Sequence, residues 1–103
     1  ILGGGGNDTI FSGKGADYFD GEAGVDTLDY SLAASKVILD LSLQGASDDG
    51  DGSSDIIKNI ESILGSKNDD ALSGDSVTNT LFGGDGNDTI QGKDGADKLS
   101  GDS

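Results

Sequence analysis

The stretch GGDGNDTIQ at residues 83–91 decides the fold, because the nine residues that follow it repeat the same pattern. Residues 92–100 read GKDGADKLS, so Asp88 and Asp97 are nine positions apart, and so are Ile90 and Leu99. Such a density of glycine and aspartate is typical of a disordered linker. A linker, however, has no reason to keep its apolar residues and its aspartates in one phase, and a fixed period instead predicts a repeat fold.

The repeat Gly-Gly-x-Gly-x-Asp-x-U-x, in which U is a large apolar residue, occurs in two blocks of the chain. The first block covers residues 3–29 and the second covers residues 65–100. The apolar residue is present in every copy, at Ile10, Phe19, Leu28, Leu72, Leu81, Ile90 and Leu99. A short unit repeated in this way predicts a solenoid, in which each unit buries its apolar face against its neighbours.

Each copy divides into a turn and a short strand. Glycines at positions one, two and four permit positive φ angles and close approach of the backbone. Positions seven to nine predict a three-residue strand with its central side chain in the core. Two copies make a coil of 18 residues, so copies 18 residues apart stack at a spacing of about 4.8 Å. This register pairs Asp8 with Asp26, Asp70 with Asp88, and Asn79 with Asp97.

The composition of the chain narrows the kinds of site that it can hold. The chain has twenty acidic residues and six basic ones, which gives a net charge of −14, and eighteen of the acidic residues are aspartate. Cysteine and histidine are absent, which excludes disulfides, thiolate metal sites and the usual general base. The negative charge of the chain disfavours nucleic acid as a partner. The sequence contains no apolar run of ~18 residues, so it predicts no transmembrane segment. The carboxylate oxygens of the many aspartates are hard ligands, which suit a cation such as Ca²⁺.

The repeats resemble the RTX, or hemolysin-type, calcium-binding nonapeptide family. The resemblance implies an all-β, right-handed parallel β-roll (a β-helix or solenoid) that holds Ca²⁺ between stacked turns, and we expect three to five ions. In that family the carbonyls of positions one to four and the position-six side chains are the ligands. Carried over to this sequence, the metal ligands are Asp8, Asp17, Asp26, Asp70, Asn79, Asp88, Asp97, Gly3, Gly4, Gly5, Gly6, Gly83, Gly84, Asp85, Gly86, Gly92 and Asp94.

The stacking register predicts that the sites differ in quality. Asn79 offers a neutral amide, so the site that it shares with Asp97 is expected to be weaker. Copy 12–20 would stack on residues 30–38, where no repeat exists, so the site of Asp17 is expected to be incomplete. Copy 83–91 would stack on residues from 101 onward.

Residues 30–64 interrupt the repeat, since 44 positions separate Gly21 from Gly65, one short of five nonapeptides. The segment SKVILDLSL at 35–43 predicts a strand that buries alternate residues from Val37 onward. In residues 55–64 the isoleucines also fit helical spacing, but strands are preferred because the neighbours are β coils. We expect residues 1–29, 30–64 and 65–103 to form one continuous solenoid, with longer strands and the thickest part of the core in the middle.

The segment QGASDDGDGSSD at 44–55 is rich in aspartate and glycine and predicts an exposed acidic loop. Its aspartates do not have the spacing of an EF-hand. A solvated loop is the preferred interpretation, and an additional calcium site remains the alternative.

The functional expectation is a module that folds on binding Ca²⁺ outside the cell and stabilises, or aids the secretion of, a larger bacterial protein. The chain begins inside a repeat, so we expect it to be a piece of that protein. Acid pairs such as Asp69 and Asp70 have no histidine, cysteine or arginine to act with, so no catalysis is expected. Two alternatives remain: a segment of a calcium-dependent surface layer or adhesin that self-associates through its ends, or the C-terminal module of a secreted protease, lipase or alginate epimerase.

Overall fold

The computed structural model describes residues 2–11, 15, 17–50, 53–93 and 97–100, and these form two sheets of short strands. The strands follow the turns because threonine, isoleucine, leucine and phenylalanine favour β structure, whereas the intervening glycines and aspartates favour turns. In chain order they are β1 Thr9–Phe11, β2 Tyr18–Asp20, β3 Thr27–Asp29, β4 Val37–Asp40, β5 Gly45–Asp49, β6 Asp55–Lys58, β7 Ser62–Leu64, β8 Ala71–Ser73, β9 Thr80–Phe82, β10 Thr89–Gln91 and β11 Lys98–Ser100. A 3-10 helix covers Leu41–Leu43. Within the described ranges no helix has the length and apolar character needed to cross a membrane.

The five-stranded sheet has the order β1-β3-β7-β9-β11, and all of its pairs are parallel. Thr9 pairs with Thr27, and Thr80 pairs with Lys98, which confirms the predicted offset of 18 residues. Strand β7 lies between the two repeat blocks and pairs with β3 on one side and β9 on the other. This sheet therefore runs without a break through the interruption.

The six-stranded sheet has the order β10-β8-β4-β5-β6-β2 and contains one strand of the opposite direction. Its repeat strands again show the predicted offset, since Ala71 pairs with Thr89. Strand β4 runs parallel to β8, and β2 runs parallel to β6. Between them β5 is antiparallel to both β4 and β6. Both sheets together confirm the predicted all-β class and a parallel β-roll, in which β5 is the one antiparallel strand among the described residues.

The prediction of an exposed loop at residues 44–55 is wrong. Residues 45–49 form β5, and the side chains of Ala46, Asp49 and Asp55 are buried. Gln44 ends the 3-10 helix with φ of 58°, a left-handed conformation that turns the chain back along β4. Residues 51 and 52 of the predicted loop lie outside the described residues.

The prediction that copy 12–20 stacks on residues 30–38 is also wrong. Strand β2 pairs with β6, so that Tyr18 lies beside Ile56 and Phe19 beside Ile57. The physical reason is the returning strand β5, which occupies the edge of β4 and moves the next parallel position to β6. The predicted stacking of copy 83–91 on residues from 101 onward lies outside the described residues.

The interruption forms strands as predicted, and β4, β5 and β6 have 4, 5 and 4 residues, which is longer than the three-residue strands of the repeats. The strand predicted at 35–43 is shorter than the sequence suggested. Val37, Leu39 and Leu41 are buried, but β4 ends at Asp40, whose Oδ1 accepts hydrogen bonds from the backbone N–H and the hydroxyl of Ser42. In residues 55–64 the strand interpretation is confirmed and the helical one is wrong, because β6 and β7 are separated only by residues 59–61.

The core lies along the central strand positions and is thickest in the interruption. More than half of the buried apolar side chains come from residues 30–64. They are Ile10, Phe19, Leu28, Tyr30, Val37, Leu39, Leu41, Ala46, Ile57, Ile60, Ile63, Leu72 and Leu81. Leu99 differs from the expected pattern, being 45% exposed, and Ile90 is only partly buried. Strands β10 and β11 end their sheets among the described residues, so each is covered by a neighbouring strand on one side only.

Candidate calcium-binding turns

The position-six side chains form a ladder that joins turns 18 residues apart. The backbone N–H of Asp8 donates to Oδ1 of Asp26 at 2.8 Å. The same contact joins Asp70 to Asp88 and Asn79 to Asp97, each at 2.8 Å. The three predicted pairs are therefore brought together, and one carboxylate oxygen of each later aspartate fixes the stacking register.

The second oxygen of several position-six aspartates has a different environment. Within the described residues, Oδ2 is buried and accepts no hydrogen bond in Asp8, Asp17, Asp26 and Asp88. A buried carboxylate oxygen without a hydrogen-bond donor destabilises the folded state by on the order of several kcal/mol, unless a cation neutralises its charge. These oxygens are the hard, anionic ligands that Ca²⁺ prefers, so the residues present fit the ion that the repeat pattern implies.

The glycine at position one is required for close approach between levels. A Cβ at Gly3 would lie 2.8 Å from the carbonyl oxygen of Gly21 and 3.0 Å from Oδ2 of Asp8. A Cβ at Gly83 would overlap Oδ2 of Asp88, and one at Gly92 would lie 2.5 Å from Oδ2 of Asp97. A larger residue would therefore occupy the space in which a main-chain carbonyl and a carboxylate converge.

The residues at positions two and four provide the left-handed backbone that the turn needs. Gly4 and Gly6 have φ of 88° and 95°, and Gly84 and Gly86 have φ of 77° and 96°. Lys93 also has a positive φ at position two, at 64°. The predicted use of glycine for φ above zero is therefore confirmed at positions two and four, while position one needs glycine for space.

Asp70 differs from the aspartates of the well-matched copies because the protein satisfies both of its oxygens. Oδ1 accepts from the hydroxyl of Ser66 at 2.7 Å and from the N–H of Val37 at 2.8 Å. Oδ2 accepts from the N–H of Ser66 at 2.7 Å. The side chain is buried, and burial raises the pKa of its carboxyl. Ligation of Ca²⁺ by Asp70 stays a prediction.

The turn at residues 74–79 is also closed by protein groups. The amide oxygen of Asn79 accepts from the N–H of Asp75 at 2.8 Å, and its Nδ2 donates to the carbonyl oxygen of Glu61 at 3.4 Å. Asn79 is completely buried. The weaker site predicted for Asn79 and Asp97 remains untested, and its position-six pairing is in place.

Two acids in the interruption continue the ladder and were missed by the sequence analysis. Glu61 Oε2 accepts from the N–H of Asp26 at 2.9 Å, and Asp55 Oδ1 accepts from the N–H of Asp17 at 2.9 Å. Asp55 also accepts from the hydroxyl of Tyr30 at 2.8 Å. Burial raises the pKa of both acids. Glu61 stands nine residues before Asp70, and this phase was the signal that could have found it.

Carboxylates alone do not surround a metal in this fold. Across residues 2–11, 15, 17–50, 53–93 and 97–100, no three acidic side chains converge as a metal-binding group. An ion held here would therefore take main-chain carbonyls as well, as the resemblance implies for Gly3–Gly6 and Gly83–Gly86. The side chain of Asp85 is exposed, and the predicted ligand Asp94 lies outside the described residues.

The fold and the turns together define a repeat solenoid whose turns suit calcium. The model of the RTX calcium-binding nonapeptide repeat matches the chain in four copies, at residues 1–30 and 73–103, which is more than half of its length. The chain therefore belongs to the RTX calcium-binding repeat family. A comparison with curated proteins finds no significant match. The residues outside the family match, 31–72, include the interruption and the turn closed by Ser66 and Asp70.

Proposed function

We propose that this chain is a calcium-responsive folding module of a larger extracellular bacterial protein, which it stabilises or helps to secrete. The observation that carries the proposal is the set of buried Oδ2 atoms, without a hydrogen-bond donor among the described residues, at Asp8, Asp26 and Asp88. Membership of the calcium-binding repeat family supports the identity of the ion.

The charge of the chain explains why metal and folding are coupled. With a net charge of −14, stacking the turns brings like charges together and is opposed by repulsion. Bound Ca²⁺ supplies positive charge between two levels and turns its binding free energy into folding free energy. The position-six hydrogen bonds of the protein fix the register in which the turns stack. The glycines at position one leave the space that the close approach of the turns requires.

Three to five ions fit the turns that the chain contains. The Asp8 and Asp26 turns form one site, and the turn that contains Asp88 forms a second. The turn of Asp97 adds a weaker site, because its partner on the neighbouring coil is the neutral Asn79. The turn of Asp17 adds a partial site, because its partner Asp55 already accepts a hydrogen bond from Tyr30. Asp70 contributes to the Asp88 site mainly through its main chain.

The external calcium supply suits such a module. A chain that stays extended where free calcium is scarce and folds where it is abundant is adapted to export in an unfolded form. We therefore assign it to the secreted or cell-surface compartment and to type I secretion. We assign no catalytic activity to the module itself; the rest of the parent protein would carry any chemistry, as it does where such modules follow a secreted enzyme.

A second candidate function, calcium-dependent assembly in a surface layer or adhesin, is supported by the ends of the sheets. Strands β1 and β11 end one sheet of the described chain, and β10 and β2 end the other. Strand edges of this kind pair readily with further strands. Light scattering with and without calcium tests the assembly, and a monomer at millimolar calcium would count against it.

Calorimetric and circular-dichroism titrations with Ca²⁺ test the main proposal. We expect β signal to grow as the ions bind, and the calorimetric stoichiometry to lie between three and five. Titration with Mg²⁺ is the matched control, since its stricter octahedral geometry should give little signal. An unchanged far-UV spectrum between metal-free and calcium-saturated protein would contradict the coupling of binding to folding.

A further inference from the structure

We propose that the central coils of this protein, defined as residues 27–50 and 53–82, fold without calcium and act as the template on which the calcium-dependent end coils become ordered. The end coils are residues 2–11 with the turn at 21–26, and residues 83–93 with 97–100. The inference rests on the proposed function for the end coils and adds a metal-independent step before it.

The first observation is that Ser66 supplies, at the turn of residues 65–70, the positive contacts that a cation would otherwise provide. Its hydroxyl and its N–H each reach one oxygen of Asp70 at 2.7 Å. The N–H of Val37, from the neighbouring level, donates to the same carboxylate at 2.8 Å. Ser66 and Asp70 are both buried, so these are charge-assisted bonds away from water.

The second observation concerns the turn at 74–79, where position six carries no carboxylate. Asn79 places a neutral amide at position six, completely buried, so stacking this turn adds no charge to the interior. Its amide oxygen accepts from Asp75, and Oδ1 of Asp75 accepts in turn from the N–H of Val77 at 3.0 Å. The turn is closed by hydrogen bonds from its own backbone N–H groups to these two side chains.

The third observation is that the interruption replaces a ligand turn with apolar material. Between β6 and β7 the six-residue turn of the repeat shrinks to Asn59, Ile60 and Glu61, and Ile60 is buried in the core. On the six-stranded sheet, Asp55 accepts from the hydroxyl of Tyr30 within the central coils and from the N–H of Asp17, which lies outside them. Tyr30 is itself completely buried.

The end coils differ from the central coils in the environment of their position-six carboxylates, and the C-terminal end coil differs also in apolar burial. Oδ2 of Asp8, Asp26 and Asp88 is buried without a donor among the described residues. The apolar residue of the last coil, Leu99, is 45% exposed, whereas Leu72 and Leu81 in the central coils are 1% and 0% exposed. The end coils thus have the larger electrostatic cost at position six, and the C-terminal end coil also gains less from apolar burial, whereas Ile10 of the N-terminal end coil is buried.

A preformed centre changes what calcium has to do. Strand β3 offers its edge to β1, β8 offers its edge to β10, and β9 offers its edge to β11. Each end coil then adds to an existing edge rather than forming a fold anew. Binding of Ca²⁺ therefore orders only the end coils, and its affinity is not reduced by the cost of folding the centre.

Hydrogen exchange of the whole chain, followed by mass spectrometry in metal-free and calcium-saturated buffer, tests the inference. We expect protection without calcium at central amides such as Tyr30, Ile57 and Thr80, which donate to Leu64, Gln44 and Glu61. Protection at Gly3, Gly83 and Lys98 should require calcium. Loss of protection along the whole chain without calcium would overturn the inference and leave the proposed function intact. Full protection of the end amides without calcium would contradict the proposed function instead.

The variant Ser66→Ala examines the cause. It removes one charge-assisted donor from Asp70, and central amides should exchange roughly 10- to 100-fold faster without calcium. Ser54→Ala is the matched control, because Ser54 is exposed and its hydroxyl only reaches the carbonyl oxygen of Ser47 at 3.2 Å. Equal exchange in Ser66→Ala and Ser54→Ala would show that Ser66 does not hold the centre together and would count against the inference.

Discussion

An aspartate at position six uses its two oxygens for different purposes, and this division makes Asp88 the sharpest test of the site. Asp88→Asn keeps an oxygen that can accept from the N–H of Asp70 but removes the charge from the buried second oxygen. We expect calcium affinity to fall at least ~10-fold, which corresponds to about 1.4 kcal/mol. Isothermal titration calorimetry measures the change.

Asp48→Asn is the control for that experiment, because it removes the same formal charge from the chain. Asp48 lies in β5, partly exposed, and its Oδ1 accepts from the N–H of Gly50 at 3.0 Å. Equal losses of affinity in Asp48→Asn and Asp88→Asn would mean that net charge, rather than ligation at the turn, controls binding.

Two glycines of the first turn separate the need for space from mere glycine content. Gly3→Ala places a methyl group against the carbonyl oxygen of Gly21, whereas Gly5→Ala meets nothing within 4 Å. We expect Gly3→Ala to lower the stability of the calcium-bound protein by about 1–3 kcal/mol. Gly5→Ala should be nearly neutral. Thermal unfolding in excess calcium compares them, and equal melting temperatures would contradict the close approach seen at Gly3.

Tyr30 holds the junction between the repeat and the interruption. Its hydroxyl donates to Asp55 in the buried interior, and burial together with the nearby carboxylates raises the pKa of this phenol. Tyr30→Phe leaves Asp55 with one donor fewer, and we expect a loss of about 1.5–3 kcal/mol of stability. Thr9→Val, which removes a hydroxyl from an exposed side chain of β1, is the control and should change little. Urea unfolding in calcium gives both values.

The strands of the repeats could be predicted because each of them carries its own signal. Thr9–Phe11 and Thr89–Gln91 follow a turn whose glycines and aspartate are in fixed phase, so position in the repeat determines strand and register. The interruption has no such phase. Nothing local to Asp49 or Asp55 says that β5 returns antiparallel, because that depends on the free edge of β4 and on the buried partner Tyr30.

The turn that sends β5 back can be tested through Gln44. This residue has φ of 58°, where a side chain other than glycine is strained by about 1 kcal/mol. We expect Gln44→Gly to be neutral or to stabilise the protein by up to about 1 kcal/mol. Gln91→Gly, in extended strand β10, is the control and should destabilise by roughly 0.5–1 kcal/mol. If Gln44→Gly were as damaging as Gln91→Gly in urea unfolding, the left-handed cap would be wrong.

The buried carboxylates and the calcium-binding turns are expected to give the whole molecule opposite responses to pH. Burial raises the pKa of Asp55, Glu61 and Asp70 above the ordinary values of 3.8 and 4.5. The folded state then binds protons more tightly than the unfolded state, so stability is greatest below those values and is lost as the pH rises through the raised values. A lower net charge at acidic pH acts in the same direction.

Calcium reverses that dependence, because a carboxylate must be ionised in order to bind the ion. We therefore expect metal-free protein, stripped on a chelating resin, to melt at a higher temperature at pH 4.5 than at pH 7. Protein in 10 mM calcium, about the concentration at which even weak extracellular sites fill, should melt at a higher temperature at pH 7. Differential scanning calorimetry at both pH values measures the two trends. Magnesium at the same concentration is the control for ionic strength and should follow the metal-free trend. A shift in the same direction in the metal-free and calcium-bound proteins would contradict the expectation that different carboxylates dominate the two responses.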